Sequence, residues 1–124
     1  MNTHRVNVTL TTDASGDAVG YTQIARGRLY SINYTKPSSG GMTNATVLVT
    51  TEDSGQTLWS EASVNASAIL APRQPTHDNA RAARLYAAGG TPVGDHYLIA
   101  NERIKVVIAG GGNTLSGSFE FLVG

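Results

Sequence analysis

The stretch that decides the fold is residues 104–123, which read IKVVIAGGGNTLSGSFEFLV. Apolar side chains occupy every second position on both sides of its glycine-rich centre. They are Ile104, Val106, Ile108, Phe119, Phe121 and Val123. Because successive side chains of a strand point to opposite faces, this spacing predicts two strands that each bury one face. Gly110–Asn113 favours a reversal between them, so the segment predicts a β-hairpin.

The same period of two recurs towards the beginning of the chain. Val6, Val8 and Leu10 alternate with Asn and Thr, which predicts a first strand over residues 5–12. Turn residues then separate further short segments that are rich in β-branched and aromatic residues. These predicted strands are 19–25, 29–35, 46–51 and 56–60, with an irregular one over 63–71.

The segments between the predicted strands carry loop signals and one helix signal. Lys36–Gly41 contains Pro37 and paired glycines, which favour no regular element. Residues 78–88 have good helix propensity, with Asp78 as the N-cap and Gly89–Gly90 as the stop. We therefore expect a loop at 36–41 and one short helix or helical turn at 78–88.

Taken together, these segments predict the fold class. About eight or nine short strands with a turn every dozen residues are typical of an antiparallel β-sandwich or a jelly-roll-like domain. The 124 residues fit a single domain over 1–124. The lone tryptophan, Trp59, is expected to be the largest anchor of its core. The expected fold is all-β with at most one short helix.

Composition excludes several classes of protein. Nine basic and nine acidic residues cancel, so no long-range field attracts nucleic acid or an anionic membrane. The chain has no cysteine, which removes disulfides and thiolate chemistry. No stretch approaches the length of a membrane span, and the start lacks the apolar region of a signal peptide. Arg outnumbers Lys seven to two, which suits protein contacts.

Candidate catalytic and metal-binding residues lack the spacing that their chemistry needs. His4, His77 and His96 lie in separate segments without paired metal-ligand spacing. Thr76, His77 and Asp78 supply a nucleophile, a base and a carboxylate in name, but neighbours on one loop seldom face one another as a triad does. The acidic pair Glu52–Asp53 is expected to solvate a turn. Asp13 and Asp17 supply oxygen ligands that calcium accepts, but their spacing does not match that of an EF-hand loop. We therefore expect no enzyme activity, no cofactor and no metal.

Several short segments of the sequence resemble those of small virion structural proteins of tailed double-stranded DNA bacteriophages. They extend over most of the chain and consist of strand and turn segments. They are Gly55–Trp59, Val64–Ser67, Pro72–Arg73, Leu85–Gly90 and Glu102–Ile108. Within that group the chain looks most like the capsid decoration, or cement, proteins, which bind outside the major capsid protein lattice, commonly as trimers.

The resemblance implies a role and a set of partners. It implies attachment to the major capsid protein, a homotrimer, and a location on the capsid surface after synthesis in the host bacterial cytoplasm. The two long loops, 36–42 and 72–90, are the expected contact segments, because they contain Arg, Tyr and Pro. Their candidate interface residues are Lys36, Met42, Arg73, His77, Arg81, Arg84 and Tyr86.

Three alternatives stay open. A tail, fibre or head-tail component of a virion would share this composition. A carbohydrate-binding β module would explain the strands and the aromatic residues. An enzyme would need a pocket that brings His77 or His96 onto a carboxylate.

Overall fold

The computed structural model describes residues 3–77, 79–82, 84–85, 90 and 94–124. Eleven strands lie in these ranges, and every pairing between them is antiparallel. They are β1 (His4–Thr11), β2 (Ala18–Tyr21), β3 (Ala25–Thr35), β4 (Ala45–Thr51), β5 (Thr57–Val64), β6 (Ala68–Leu70), β7 (Arg73–Pro75), β8 (Gly94–His96), β9 (Leu98–Glu102), β10 (Ile104–Ala109) and β11 (Ser116–Val123). None of the described residues is helical, and the predicted all-β, sandwich-like fold is confirmed.

The strands form two main sheets with one core between them. The first sheet has the order β1–β11–β3–β6, and β9 also pairs with β3. The second sheet has the order β2–β10–β4–β5, and β7 with β8 forms a separate ribbon. Side chains from both main sheets belong to a single buried cluster. The architecture is therefore an antiparallel β-sandwich with a small two-stranded ribbon beside it.

The predicted hairpin over residues 104–123 is wrong. β10 pairs with β2 and β4 in the second sheet, whereas β11 pairs with β1 and β3 in the first sheet. The glycine-rich segment between them crosses from one sheet to the other. The alternating side chains are buried as predicted, but those of β10 and β11 come from opposite sheets. Period-two spacing identifies the buried face of a strand and says nothing of its neighbour.

The crossing segment is held by other loops instead of by a hairpin turn. The Gly111 N–H donates to the Gly16 carbonyl at 2.8 Å, and the Thr43 N–H donates to the Gly111 carbonyl at 3.1 Å. The Thr12 hydroxyl donates to the Gly112 carbonyl at 2.5 Å. Gly16 has a φ of +83°, and a Cβ there would lie 2.9 Å from the backbone nitrogen of Gly111. Close backbone contact therefore requires glycine at that turn.

An aromatic cluster forms the centre of the core. The rings of Tyr34 and Phe119 stack with centroids 4.8 Å apart, and Trp59 lies 6.3 and 6.2 Å from them. Trp59 is buried, which confirms its predicted place in the core. The Tyr34 hydroxyl is buried without a hydrogen-bond partner among the described residues, and burial raises the pKa of Tyr34.

Three other predicted elements differ in detail. The expected break near Arg26–Gly27 is a bulge inside one continuous strand, β3. The irregular strand over 63–71 is divided between the end of β5 and the short β6. The predicted helix is wrong for residues 79–82 and 84–85, which are not helical, and the Arg84 N–H donates to the Thr76 carbonyl at 2.8 Å. The rest of that prediction, including the Asp78 cap, lies outside the described residues.

Candidate contact surfaces

A buried carboxylate, that of Glu102, holds two segments of the chain together. The Glu102 carboxylate is buried and accepts hydrogen bonds from the backbone N–H groups of Asp53 and Ser54, at 2.7 and 2.9 Å. The Ser54 hydroxyl donates to the other carboxylate oxygen of Glu102 at 2.6 Å. Burial opposes ionisation of Glu102, but the Ser54 and Asp53 donors outweigh it and lower its pKa. This carboxylate therefore fastens the β4–β5 turn onto the end of β9.

An ion pair borders the same turn. The Arg103 guanidinium donates to both carboxylate oxygens of Glu52. The Arg103 hydrogen bond lowers the pKa of Glu52, and the same bond raises the pKa of Arg103. The guanidinium also lies 4.3 Å from the centroid of the Tyr21 ring, which is a cation–π distance. These charges hold the end of the second sheet.

The three histidines lie apart. His4 begins β1, His77 follows β7, and His96 ends β8, where its ring meets the Tyr30 ring edge-on at 5.0 Å. The His96 Nδ1 lies 3.3 Å from the Asp95 carboxylate, and the His96 backbone N–H is the main cause of the lowered pKa of Asp95. Within the described ranges, no cluster of His, Asp or Glu could hold a metal ion. The Thr76–His77–Asp78 reading depends on Asp78, which lies outside those ranges.

The structure places four of the predicted interface residues in β7 or in the segment that follows it. Arg73, His77, Arg81 and Arg84 are all exposed. The Arg73 guanidinium donates to the carbonyls of Tyr30 and Pro72, at 3.3 and 2.8 Å, and so ties the ribbon to β3. Tyr86 lies outside the described residues. An interface role for these residues stays a prediction.

The other two predicted interface residues are engaged within the domain. Lys36 Nζ donates to the carbonyl and the side-chain oxygen of Asn65, both at 3.0 Å. Met42 is fully buried, so the prediction that its side chain serves a contact surface is wrong. A Cβ on Gly117 would lie 2.5 Å from the Met42 methyl, which shows how closely Met42 packs on β11. Met42 is the apolar anchor of an otherwise polar loop.

A surface that sequence analysis missed lies on the outer face of the second sheet. Val19 on β2 pairs with Val107 on β10, which in turn pairs with Leu48 on β4. These three residues, the apolar row, point away from the core, and Val19 and Leu48 are 56% and 37% exposed. Tyr21, 39% exposed, stands beside the row. The signal was present in the sequence, because Leu48 interrupts the outward threonines Thr46 and Thr50.

The outer face of the first sheet has the opposite character. Its two central cross-strand rows are entirely polar and line a shallow cavity of about 300 Å³. These six residues, the polar face, are Asn7, Glu120, Asn33, Thr9, Ser118 and Thr35. Glu120 also pairs with Arg5 at 3.3 Å, and Ile69 is the exposed apolar residue at the β6 edge. A single apolar side chain of this kind is ordinary on a protein surface.

Comparisons with protein-family models, with curated proteins and with solved structures found no match to this chain. In the part of the chain that the structure describes, no helix is long and apolar enough to cross a membrane.

Proposed function

We propose that this protein is a structural component of a phage virion, a capsid decoration protein that binds outside the major capsid lattice and stabilises the head. The observation that carries the proposal is the apolar row of Val19, Val107 and Leu48 on an outward sheet face. Contiguous exposed apolar residues on a soluble domain are typical of a protein contact. The resemblance of the sequence to virion structural proteins supplies the kind of assembly.

The apolar row suits a contact because three strands hold it in place. Cross-strand neighbours on one face lie about 5 Å apart, so their side chains form a continuous strip. Their backbones are fixed by the ladders that join β2, β10 and β4, so little conformational entropy is lost on binding. Buried apolar area contributes about 25 cal/mol per Å² before the costs of association.

The segment between β7 and β8, residues 76–93, would supply a second, polar contact. Arg81 and Arg84 are exposed there, and arginine is enriched at protein interfaces. A shell under internal pressure fails where its subunits part, so a clamp that touches several subunits adds binding energy that must be lost first. Several contacts of ordinary size made by one oligomer reinforce each other through effective concentration. The resemblance implies a trimer for this oligomer.

The test is attachment of the purified protein to phage heads that lack it, measured by co-sedimentation and by density at the capsid surface. Leu48→Lys is expected to weaken attachment at least about tenfold, because it places a charge in the strip. Thr9→Lys on the polar face is the matched control and is expected to bind as the wild type does. A monomeric protein that does not attach to phage heads, or an equal loss of attachment in both variants, would contradict the proposal.

The polar face favours one second candidate, a carbohydrate-binding module. Its amide, hydroxyl and carboxylate groups could donate and accept hydrogen bonds with sugar hydroxyls in the cavity of about 300 Å³. A glycan array separates the candidates, because saturable binding that is lost in Asn33→Ala would support the carbohydrate role. A six-fold or higher ring in the particle would instead support a tail component.

A further inference from the structure

A second cavity lies at the seam between β1, β3 and β9. Its volume is about 440 Å³, and its walls are His4, Ile24, Arg26 and Asn101. The lining contains a guanidinium, an imidazole and an amide, but no carboxylate. Its polar groups are therefore mainly donors, and its charge is positive.

A β-bulge shapes this cavity. Ala25 pairs with Glu102 and Gly27 pairs with Ile99, so two residues of β9 stand opposite Arg26 alone. Asn101 is one of them and has a left-handed φ of 55°, while Gly27 has a φ of 115°. Bulges bend a strand and re-aim its side chains, and they occur often beside functional sites. This one brings Arg26 and Asn101 to the wall of the same cavity.

Arg26, like Arg28 on the same strand, forms no ion pair with a described residue. Arg5 and Arg103 each form an ion pair with a glutamate. Within the described residues, no carboxylate lies within 4 Å of the Arg26 guanidinium, and no hydrogen bond to that group is present. A guanidinium offers a planar fork that matches the two oxygens of a carboxylate.

The fourth lining residue, Ile24, favours a ligand that also has an apolar part. Ile24 is 62% exposed and follows β2 towards β3. A ligand that places its anionic oxygens on Arg26 can lay a short hydrocarbon chain against this side chain. An inorganic oxyanion has no such chain and leaves Ile24 in water.

We propose that this cavity binds a carboxylate carried on a short aliphatic chain, with Arg26 as the main anchor and His4 and Asn101 as further donors. A glutamate side chain of a partner protein and a free small acid both present this chemistry. The inference concerns a different surface from the apolar row and does not depend on the proposed function.

The test is an NMR titration of the full-length protein with sodium butyrate at constant ionic strength. The Arg26 side-chain N–H and the Ile24 and Asn101 amides are expected to shift in a saturable way in the millimolar range. Arg26→Gln is expected to weaken binding about tenfold or more. Arg28→Gln, an exposed arginine two residues further along and outside the cavity wall, is the control and is expected to keep it.

Three comparisons test the ligand class. Butyrate is expected to bind tighter than formate by up to about fourfold for each methylene that meets Ile24, and Ile24→Ser is expected to remove that preference. A peptide with one central glutamate, compared with its glutamine analogue, tests the protein source; free butyrate tests the small-molecule source. Tighter binding of inorganic phosphate, or equal shifts in the wild type and Arg26→Gln, would overturn the proposal.

Discussion

The outer faces of the two sheets differ in the side chains that they expose, although side chains alternate between inward and outward positions on both. On the first sheet, the two central outward rows carry Asn, Thr, Ser and Glu, as expected for a face in water. On the second sheet, the outward positions of three adjacent strands carry Val19, Val107 and Leu48. Both faces fold equally well because the inward positions supply the core. Folding therefore does not require the difference, and we base the proposed contact on the apolar row of the second sheet.

The largest expected effect comes from adding a side chain where β2 packs closely on β1. Gly20 of β2 faces β1, and a Cβ there would lie 2.5 Å from Leu10 Cδ2 and 2.9 Å from Val8 Cγ2. Gly20→Val should therefore displace β2, which carries Val19, and lower the free energy of unfolding by about 3 kcal/mol. Gly94→Ala, where a Cβ meets only ordinary contacts, is the control. Equal urea midpoints for the two variants would show that β2 tolerates displacement.

The next effect concerns the carboxylate that fastens the turn at the end of the apolar face. Glu102→Gln replaces an ionised acceptor of three hydrogen bonds and should cost about 2 kcal/mol at neutral pH. Because folding lowers the pKa of Glu102, its stabilisation is present above the unfolded value of about 4.3 and is lost as the pH falls through the folded value. The wild type should therefore lose its advantage over Glu102→Gln in acid. Urea unfolding at pH 7 and in acid measures this, and a constant difference would contradict it.

A smaller effect with the opposite sign is expected inside the first sheet. The Tyr34 hydroxyl is buried without a partner among the described residues. Tyr34→Phe removes that desolvated group, keeps the stacked ring, and should raise the free energy of unfolding by about 1 kcal/mol. Phe119→Leu, which removes part of the same stack, should lower it. A destabilised Tyr34→Phe would reveal a partner for the hydroxyl.

The smallest effect is expected when a polar and an apolar side chain are substituted for each other on the outer face of the second sheet. Val107→Thr keeps the branched shape and removes one outward methyl from the apolar row, so association with capsid or with other copies should weaken about threefold. Thr50→Val, on the neighbouring strand, should strengthen it by a similar factor. Folding stability should change little in either variant because both side chains point outward. Light scattering and co-sedimentation measure the association, and changes of the same sign would contradict the comparison.

The sequence predicted the buried face of most strands, because the alternation of apolar and polar residues along a strand is enough to define that face. Val6 with Leu10, and the alternating residues of β10 and β11, are all buried as expected. The pairing of strands was not predictable. Apolar and polar residues would alternate along β10 and β11 in the same way whether the two strands lay in one sheet or in two. The position of Met42 was missed because loop composition does not reveal which single apolar side chain turns inward.

The contact surfaces were harder to predict than the fold. Leu48 and Val107 stand beside inward valines, and only the register between β4 and β10 shows that they are neighbours on the outside. The cavity around Arg26 depends on one extra residue in β9, which no local pattern of the sequence reveals. Both surfaces arise from alignment between distant segments.

The crossing between β10 and β11 has a consequence for synthesis on the ribosome. β11 lies between β1 and β3, so a strand made late in synthesis fills the middle of a sheet whose other members were made early. Until β11 leaves the exit tunnel, β1 and β3 have no ladder to join them, and their backbone edges stay open to other nascent chains. We therefore expect the first sheet of this domain to form only after β11 has emerged from the ribosome.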